Sequence, residues 1–417
     1  MEEIKVYNTL TKEKEVFHPI KEGEAKIYVC GVTPYNHPHI GNARPAVTWD
    51  IIRRYLEFIG YKVTFVQNFT DVDDKIINKA NAEGSDWKTI SDRYIDAYFE
   101  VMDKLHVRRA DMYPRVSDHM KDIIDMVKTL IEKGHAYVLG GDVYYDISTF
   151  KDYGKLSGRK IEDMLAGARI EVNDEKRNPG DFALWKAAKP GEPFWESPWG
   201  KGRPGWHTEC VVMINKNLGP LIDIHGGGMD LRFPHHENEA AQQECTHHNS
   251  LANYWIHNAM ININGQKMSK SLGNTLWAQD VVDRLGTNLT RWLMSSVLYR
   301  KELNFSDETV ETARKELDKV MNPMRSIDVK AALNGVTLEC AWDEAAYRSF
   351  LDQLDDDLNT PNAYTVIFEQ AKKLNQMLRV REPDWNQAAL TRNAIEKMLN
   401  ILGIVVEKPE VSDEDRA

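Results

Sequence analysis

The sequence predicts an α/β fold in which a parallel sheet is split by an insertion and followed by an α-helical bundle. Three observations carry this expectation. Short apolar runs alternate with amphipathic helical patterns over the first third of the chain. Residues 116–200 break that rhythm with short β-like pieces, many turns and the tryptophans Trp185, Trp195 and Trp199. From Ser306 onward strand signals vanish and helical periodicity takes over. A length of 417 residues suits one large domain with one or two smaller ones.

The elements follow in order. Lys26-Ile27-Tyr28-Val29-Cys30 reads as a short buried strand ending at Gly31. A turn-rich stretch, residues 33–42, precedes an amphipathic helix. Val47, Ile51, Ile52, Tyr55, Leu56 and Ile59 share one face of it, with Asp50, Arg53, Arg54 and Glu57 opposite, and Gly60 closes it. A second strand, residues 62–65, leads into Asn68-Phe69-Thr70-Asp71. Ile90, Tyr94, Ile95, Tyr98, Met102 and Leu105 form one helical stripe. Met120, Ile123, Ile124, Val127 and Ile131 form another, ended by Gly134. Inside the insertion, residues 142–146 are β-like. The sheet resumes near Leu221-Ile222-Asp223-Ile224-His225.

In the last part, Val310, Ala313, Leu317, Val320 and Met321 make a helix face. Thr360 is the expected N-cap of the next helix, with Pro361 at its first position. A final helix runs from about residue 386 to 402, stopped by Gly403. The resulting division is 1–115 and 201–255 for two halves of a Rossmann-like unit, 116–200 for a connective insertion, 256–305 for a lysine-bearing loop region, 306–404 for the bundle and 405–417 for an acidic tail.

Composition excludes several classes. With 42% hydrophobic and 28% charged residues the chain is neither disordered nor fibrous. Its apolar runs fall far short of the roughly 20 residues that span a bilayer. The start, Met1-Glu2-Glu3-Ile4-Lys5, has no secretory pattern, so the expectation is a cytoplasmic chain with reduced thiols and no membrane partner. A balance of 53 basic against 64 acidic side chains, a net charge of −11, argues against wholesale coating of nucleic acid but leaves room for a local basic strip. The four cysteines, Cys30, Cys210, Cys245 and Cys340, form no C-x-x-C pair.

Two short motifs carry chemistry. His39-Ile40-Gly41-Asn42 sits between a strand and a helix N-terminus, where free amides and the helix dipole suit phosphate. His37 and His39 can donate to phosphate oxygens, and Gly41 lets a flat ring approach the backbone. Taken alone, loop histidines that cap a helix are the commoner explanation of the motif. Lys267-Met268-Ser269-Lys270-Ser271 lies between Gly265 and Gly273. Two lysines and two hydroxyls on such a loop can clamp a triphosphate and stabilise charge on a leaving pyrophosphate. A solvated basic loop is the plainer alternative.

Together, in this order, the two motifs resemble the paired signatures of class I aminoacyl-tRNA synthetases. Further segments narrow the resemblance to cysteinyl-tRNA synthetases: residues 27–31, Asn68-Phe69-Thr70-Asp71-Val72-Asp73-Asp74-Lys75, Arg203-Pro204-Gly205-Trp206-His207-Thr208-Glu209-Cys210, Asp223-Ile224-His225-Gly226-Gly227-Gly228-Met229-Asp230 and Phe233-Pro234-His235-His236-Glu237-Asn238-Glu239. The resemblance covers about residues 1–405.

The resemblance implies that Cys30, Cys210, His235 and Glu239 bind one Zn2+ per chain. Two thiolates, an imidazole and a carboxylate are good tetrahedral zinc ligands, and His235 and Glu239 are spaced i, i+4. From spacing alone, Cys30 reads rather as a small buried hydrophobe at a strand end. Such a zinc reads the substrate: a cysteine thiolate can join it, whereas a serine hydroxyl is a poor ligand. The discrimination exceeds the roughly 1–3 kcal/mol that apolar fit supplies per small group, and no segment obviously encodes an editing domain.

Also implied are Thr33, Thr70, Trp206, His225 and Asp230 around L-cysteine, with Asp230 toward its ammonium and His225 toward its carboxylate. ATP, with Mg2+, falls to His37, His39, Gly41, Asn42, Gly228, Lys267 and Lys270, and His39, Asn42, Lys267 and Lys270 are the expected catalytic set. The implied reaction is formation of cysteinyl-adenylate and transfer to the terminal adenosine of tRNA(Cys), by a monomer. The alternative is a related ligase that passes the adenylate to an amine, as in mycothiol synthesis. Residues 262–302 hold Lys267, Lys270, Arg284, Arg291, Arg300 and Lys301 against Asp280, Asp283 and Glu302, an excess that suits a tRNA stem. His207, His236, His247 and His248 receive no site role, and Cys245 and Cys340 are expected to pack. Asn42 stands where the general signature has histidine. The chain stops near where an anticodon-reading domain is expected to begin, so that module is expected to be missing.

Overall fold

The computed structural model describes residues 2–160, 162, 173, 175–412 and 414. Parts of the expected insertion and acidic tail lie outside the described residues. An antiparallel hairpin, β1 (Lys5–Asn8) and β2 (Glu13–Val16), opens the chain. It is followed by β3 (Glu24–Val29), α1 (Ile40–Phe58), β4 (Lys62–Gln67), α2 (Asp74–Glu83), α3 (Trp87–Lys104) and α4 (Met120–Glu132). Four antiparallel strands come next: β5 (Ala136–Leu139), β6 (Asp142–Tyr145), β7 (Phe182–Ala187) and β8 (Gly202–Pro204), hydrogen-bonded in that order. The chain then returns through α5 (Glu209–Asn217), β9 (Ile222–Gly228), α6 (Glu237–His247) and β10 (Ala252–Asn258).

The parallel sheet has the order β10-β9-β3-β4. From β3 the chain crosses by α1 to β4 on one side. It reaches β9 on the other side of β3 only after the antiparallel sheet. Strand order therefore reverses beside β3, and a crevice opens at the carboxyl ends of the strands there, the usual ligand position in open α/β sheets. Helix α1 covers one face. Its Val47, Ile51, Ile52 and Tyr55 are buried, as the periodicity predicts. Gly226 in β9 is forced by this packing, because a Cβ there would stand 2.0 Å from the Trp49 ring.

A small sheet then forms from β11 (Ile261–Ile263), β12 (Gln266–Lys267) and β13 (Leu303–Phe305), with α7 (Ala278–Leu285) and α8 (Thr287–Met294) between its last two strands. The bundle follows: α9 (Asp307–Leu333), α10 (Glu344–Asp355), α11 (Thr360–Met377) and α12 (Trp385–Ile401). Phe350, Ile367, Leu374, Met398 and Leu399 fill its interior and join the core that runs under the parallel sheet. No helix among the described residues is long and apolar enough to cross a membrane.

Some local expectations shift. Helix α1 starts at Ile40, within the stretch expected as turns, with His39 as its N-cap. The N-cap of α11 is Asn359, not Thr360, because the Asn359 carboxamide accepts from the Asn362 amide at 3.1 Å. Helix α10 was not foreseen.

Candidate active site

A cavity of about 840 Å³ lies at the switch point beside β3. Each strand end contributes to its wall: Cys30 and Gly31 after β3, Asn68 and Thr70 after β4, Gly227 and Gly228 at the end of β9, and Asn258 at the end of β10. Gly31 is obligatory, because a Cβ would stand 1.7 Å from the Asn68 carbonyl oxygen. Its amide donates to Asn68 Oδ1 at 2.8 Å, which ties the two turns together.

At one wall of the cavity the side chains of Cys30, Cys210, His235 and Glu239 converge, with one donor atom of each within 4.8 Å of the others. Cys30 arrives from the end of β3 and Cys210 from the first turn of α5. His235 precedes α6, and Glu239 lies one turn on within it. The Sγ atoms of Cys30 and Cys210 are 3.7 Å apart. Two thiolates bound at about 2.3 Å to one tetrahedral zinc stand about 3.8 Å apart, so the donor set fits such an ion in chemistry and in spacing. His235 Nε2 lies 2.9 Å from Glu239 Oε1. Cys30, Cys210 and His235 line the cavity while Glu239 sits behind them, leaving one side of the cluster open to a further ligand.

The protons of this cluster are displaced from their ordinary positions. Burial pushes the His235 imidazole down, but Glu239 and Cys210 together outweigh it and lift the group to about 10. Burial pushes the Cys210 thiol up, yet its hydrogen bonds with Cys30 and His235 bring it to about 6. Burial raises Cys30. A thiolate and a carboxylate thus already face a shared cation, the arrangement a divalent metal needs.

The other part of the cavity is basic. His39, Asn42, His37, Lys75, Lys267 and Lys270 all line it. Asn42 Oδ1 accepts from the His39 amide at 3.0 Å, so the asparagine in the signature closes the start of α1. His39 Nδ1 is buried without a hydrogen-bond partner. Burial, with Lys75 nearby, holds that imidazole below its ordinary value. A Cβ on Gly41 would stand 2.8 Å from the His39 ring and 3.2 Å from the Met268 methyl. The close approach made at Gly41 is therefore by this chain's own side chains. The lysine loop is anchored to the signature: the Ile40 amide donates to the Leu276 carbonyl at 3.0 Å and the Ala278 amide to that of Pro38 at 3.0 Å. Lys270 and Lys75 flank one ring, Tyr35, at 5.0 and 5.2 Å. No carboxylate pairs with Lys75, Lys267 or Lys270 among the described residues.

Of the residues implied around cysteine, Thr33, Thr70, Trp206 and Asp230 line the cavity. Trp206 is half exposed and stacks on the His235 ring at 4.4 Å. Thr70 donates its hydroxyl to Glu209 Oε1 at 2.7 Å. His225 is not on the cavity wall. It is fully buried behind the cluster, with Nε2 2.5 Å from Glu239 Oε2, where it orients that carboxylate. Sequence reasoning missed Glu209 and Lys75, although both lie inside the quoted motifs. It also gave His236 no role. His236 Nε2 lies 3.2 Å from Cys30 Sγ, and its Nδ1 lies 2.7 Å from His257 Nε2.

Of the basic strip, Arg291 is corrected outright. It is fully buried and bonded to Asp50, so it cannot touch a tRNA. Arg300 is spent on Asp357 at 2.8 Å. Cys245 packs, as expected, beside the Tyr145 hydroxyl at 3.0 Å, whereas Cys340 is exposed rather than packed.

Comparison with known proteins agrees with this geometry. Residues 16–315 match the tRNA synthetases class I (C) catalytic domain, and residues 349–407 match the DALR domain, a module within the bundle that the sequence reading did not recognise. The chain is 46% identical over its whole length to a cysteine–tRNA ligase of Geobacillus sp. strain WCH70, of which it covers 90%. It is 51% identical over 89% of its length to one from Clostridioides difficile, covering 82% of that protein. In fold it resembles the Mycobacterium tuberculosis methionyl-tRNA synthetase solved with methionyl-adenylate, with a TM-score of 0.67 at 15% identity over 91% of this chain and 89% of that one. This chain belongs to the cysteine–tRNA ligase family of class I aminoacyl-tRNA synthetases.

Proposed function

We propose that this enzyme activates L-cysteine with ATP and transfers the cysteinyl group to tRNA(Cys). The observation that carries the reading is the position of a cluster of two cysteines, a histidine and a glutamate at the wall of the same cavity that holds His39, Lys267 and Lys270. A thiol-selecting centre beside a triphosphate clamp is what cysteine activation requires.

Cys30, Cys210, His235 and Glu239 would hold zinc, which supplies an open position for a substrate thiolate and so separates cysteine from serine. Thr33, Thr70, Trp206 and Asp230 enclose the amino acid, and His225 fixes the Glu239 carboxylate. Gly228 gives the adenosine access to backbone. His37 and His39 donate toward phosphate, with Asn42 holding the first turn of α1 behind them. Lys267 and Lys270 stabilise the charge that builds on pyrophosphate as the cysteine carboxylate attacks the α-phosphate of Mg2+–ATP. The division at 116–200, 201–255 and 256–305 is read as connective insertion, second catalytic half and stem-contact region. The antiparallel sheet from Ala136 to Pro204 supports an insertion there.

The test is cysteine-dependent ATP–pyrophosphate exchange, followed by transfer of labelled cysteine to tRNA in the same preparation. Exchange with transfer is expected. Exchange without transfer at saturating tRNA, with transfer to amino sugars instead, would contradict the tRNA reading.

A further inference from the structure

Glu209 is a buried carboxylate without a cation. It is 2% exposed, opens α5 beside Cys210 and lines the cavity. Its one side-chain partner among the described residues is the Thr70 hydroxyl, at 2.7 Å. Other buried carboxylates in the described residues are better satisfied. Asp50 takes Arg54, Arg291 and the Arg108 amide. Asp357 takes Arg300, Tyr299 and the Tyr7 amide. Asp223 takes two backbone amides, and Glu239 two imidazoles. No lysine, arginine or histidine nitrogen reaches Glu209 within salt-bridge distance among the described residues. Burial favours the neutral form of a carboxyl left this way, and a cation arriving from outside the chain would hold it ionised.

We propose that Glu209 is the group that receives the substrate's ammonium, and so selects an α-amino thiol over other thiols. This rests on the cysteine reading given above. The geometry favours Glu209 over Asp230. Both line the cavity, but Asp230 is exposed, and an ion pair in water is worth little. A desolvated carboxylate beside the thiol-binding cluster meets an ammonium with little screening. Thr70, donating to one oxygen, fixes the carboxylate and leaves the other oxygen for the incoming N–H groups.

The experiment compares three thiols on zinc-loaded full chain by calorimetric titration: L-cysteine, cysteamine, which lacks the carboxylate, and 3-mercaptopropionate, which lacks the amine. Glu209→Gln is expected to weaken cysteine and cysteamine by about 10- to 100-fold and 3-mercaptopropionate by no more than about twofold, with zinc content unchanged. Glu209→Asp keeps the charge and is expected to retain part of the amine preference. It decides the matter if the Gln variant does not fold. Equal weakening of all three thiols, or of none, would overturn the proposal. So would an amine-selective loss in Asp230→Asn that Glu209→Gln does not share. Failure of the unaltered enzyme to bind any of the three would instead overturn the cysteine reading beneath it.

Discussion

At Asp50 a single carboxylate joins two parts of the chain. It lies on α1, accepts from Arg54 and Arg291 at 2.7 Å each, and is 4% exposed. Arg291, on α8, also donates to the Leu402 carbonyl beyond the last bundle helix and to that of Leu105. Removing one partner of such a buried pair leaves the other uncompensated, so Arg291→Met is expected to cost about 3 kcal/mol or more in urea unfolding. Burial pushes Asp50 up, but Arg291 and Arg54 outweigh it and hold the group below its ordinary 3.8. Its contribution is therefore present at neutral pH and is lost progressively as pH falls from about 3.8 through that lowered value. Acid unfolding of Asp50→Asn should accordingly be less steep below about pH 4 than that of the parent. Lys267→Ala and Lys270→Ala should each lower pyrophosphate exchange by about 10²-fold or more, with cysteine binding unchanged. At this scale the sequence was uneven. Residue types revealed the two signatures, but a run of basic residues says nothing about which way each points. Arg291 therefore read as surface. Glu209 went unnoticed because one carboxylate in a motif gives no sign of having no partner.

Among the elements, β9 shows how a motif serves two ends. Gly227 and Gly228 line the cavity, whereas Gly226 makes room for Trp49 of α1. Gly226→Ala should cost about 1–3 kcal/mol in thermal or urea unfolding, and Trp49→Phe in the same chain should recover part of it. The strands and amphipathic helices of the parallel sheet were legible because alternation of short apolar runs with 3.6-residue stripes needs no tertiary information. The start of α1 was not. Its first turn is made of signature residues whose polarity reads as loop, and the Asn42 carboxamide on the His39 amide is what closes it. Helix α10 had a readable stripe, Tyr347, Phe350, Leu351 and Leu354, all buried. Its brevity between two loops hid it.

For the whole molecule, the central feature is assembly at a distance. Cys30 and Cys210 are 180 positions apart, yet their sulfurs stand 3.7 Å from each other. Periodicity and spacing cannot supply that contact, and only the family resemblance connected Cys30, Cys210, His235 and Glu239. The topology explains it physically: β3 pairs with β9 across the switch point, and the returning chain places α5 and the start of α6 against the end of β3. Chelation should therefore remove both thiol selection and part of the stability of this junction, the latter read as a lower unfolding temperature that zinc restores. The most direct measurement is pyrophosphate exchange with cysteine and with serine, before metal removal, after it and after zinc is returned. Cysteine exchange is expected to fall with the metal and recover with zinc, and serine exchange to stay below it by about 10⁴-fold or more in the zinc-loaded enzyme. Undiminished cysteine exchange in metal-stripped enzyme, or serine used comparably well by the zinc-loaded one, would contradict it.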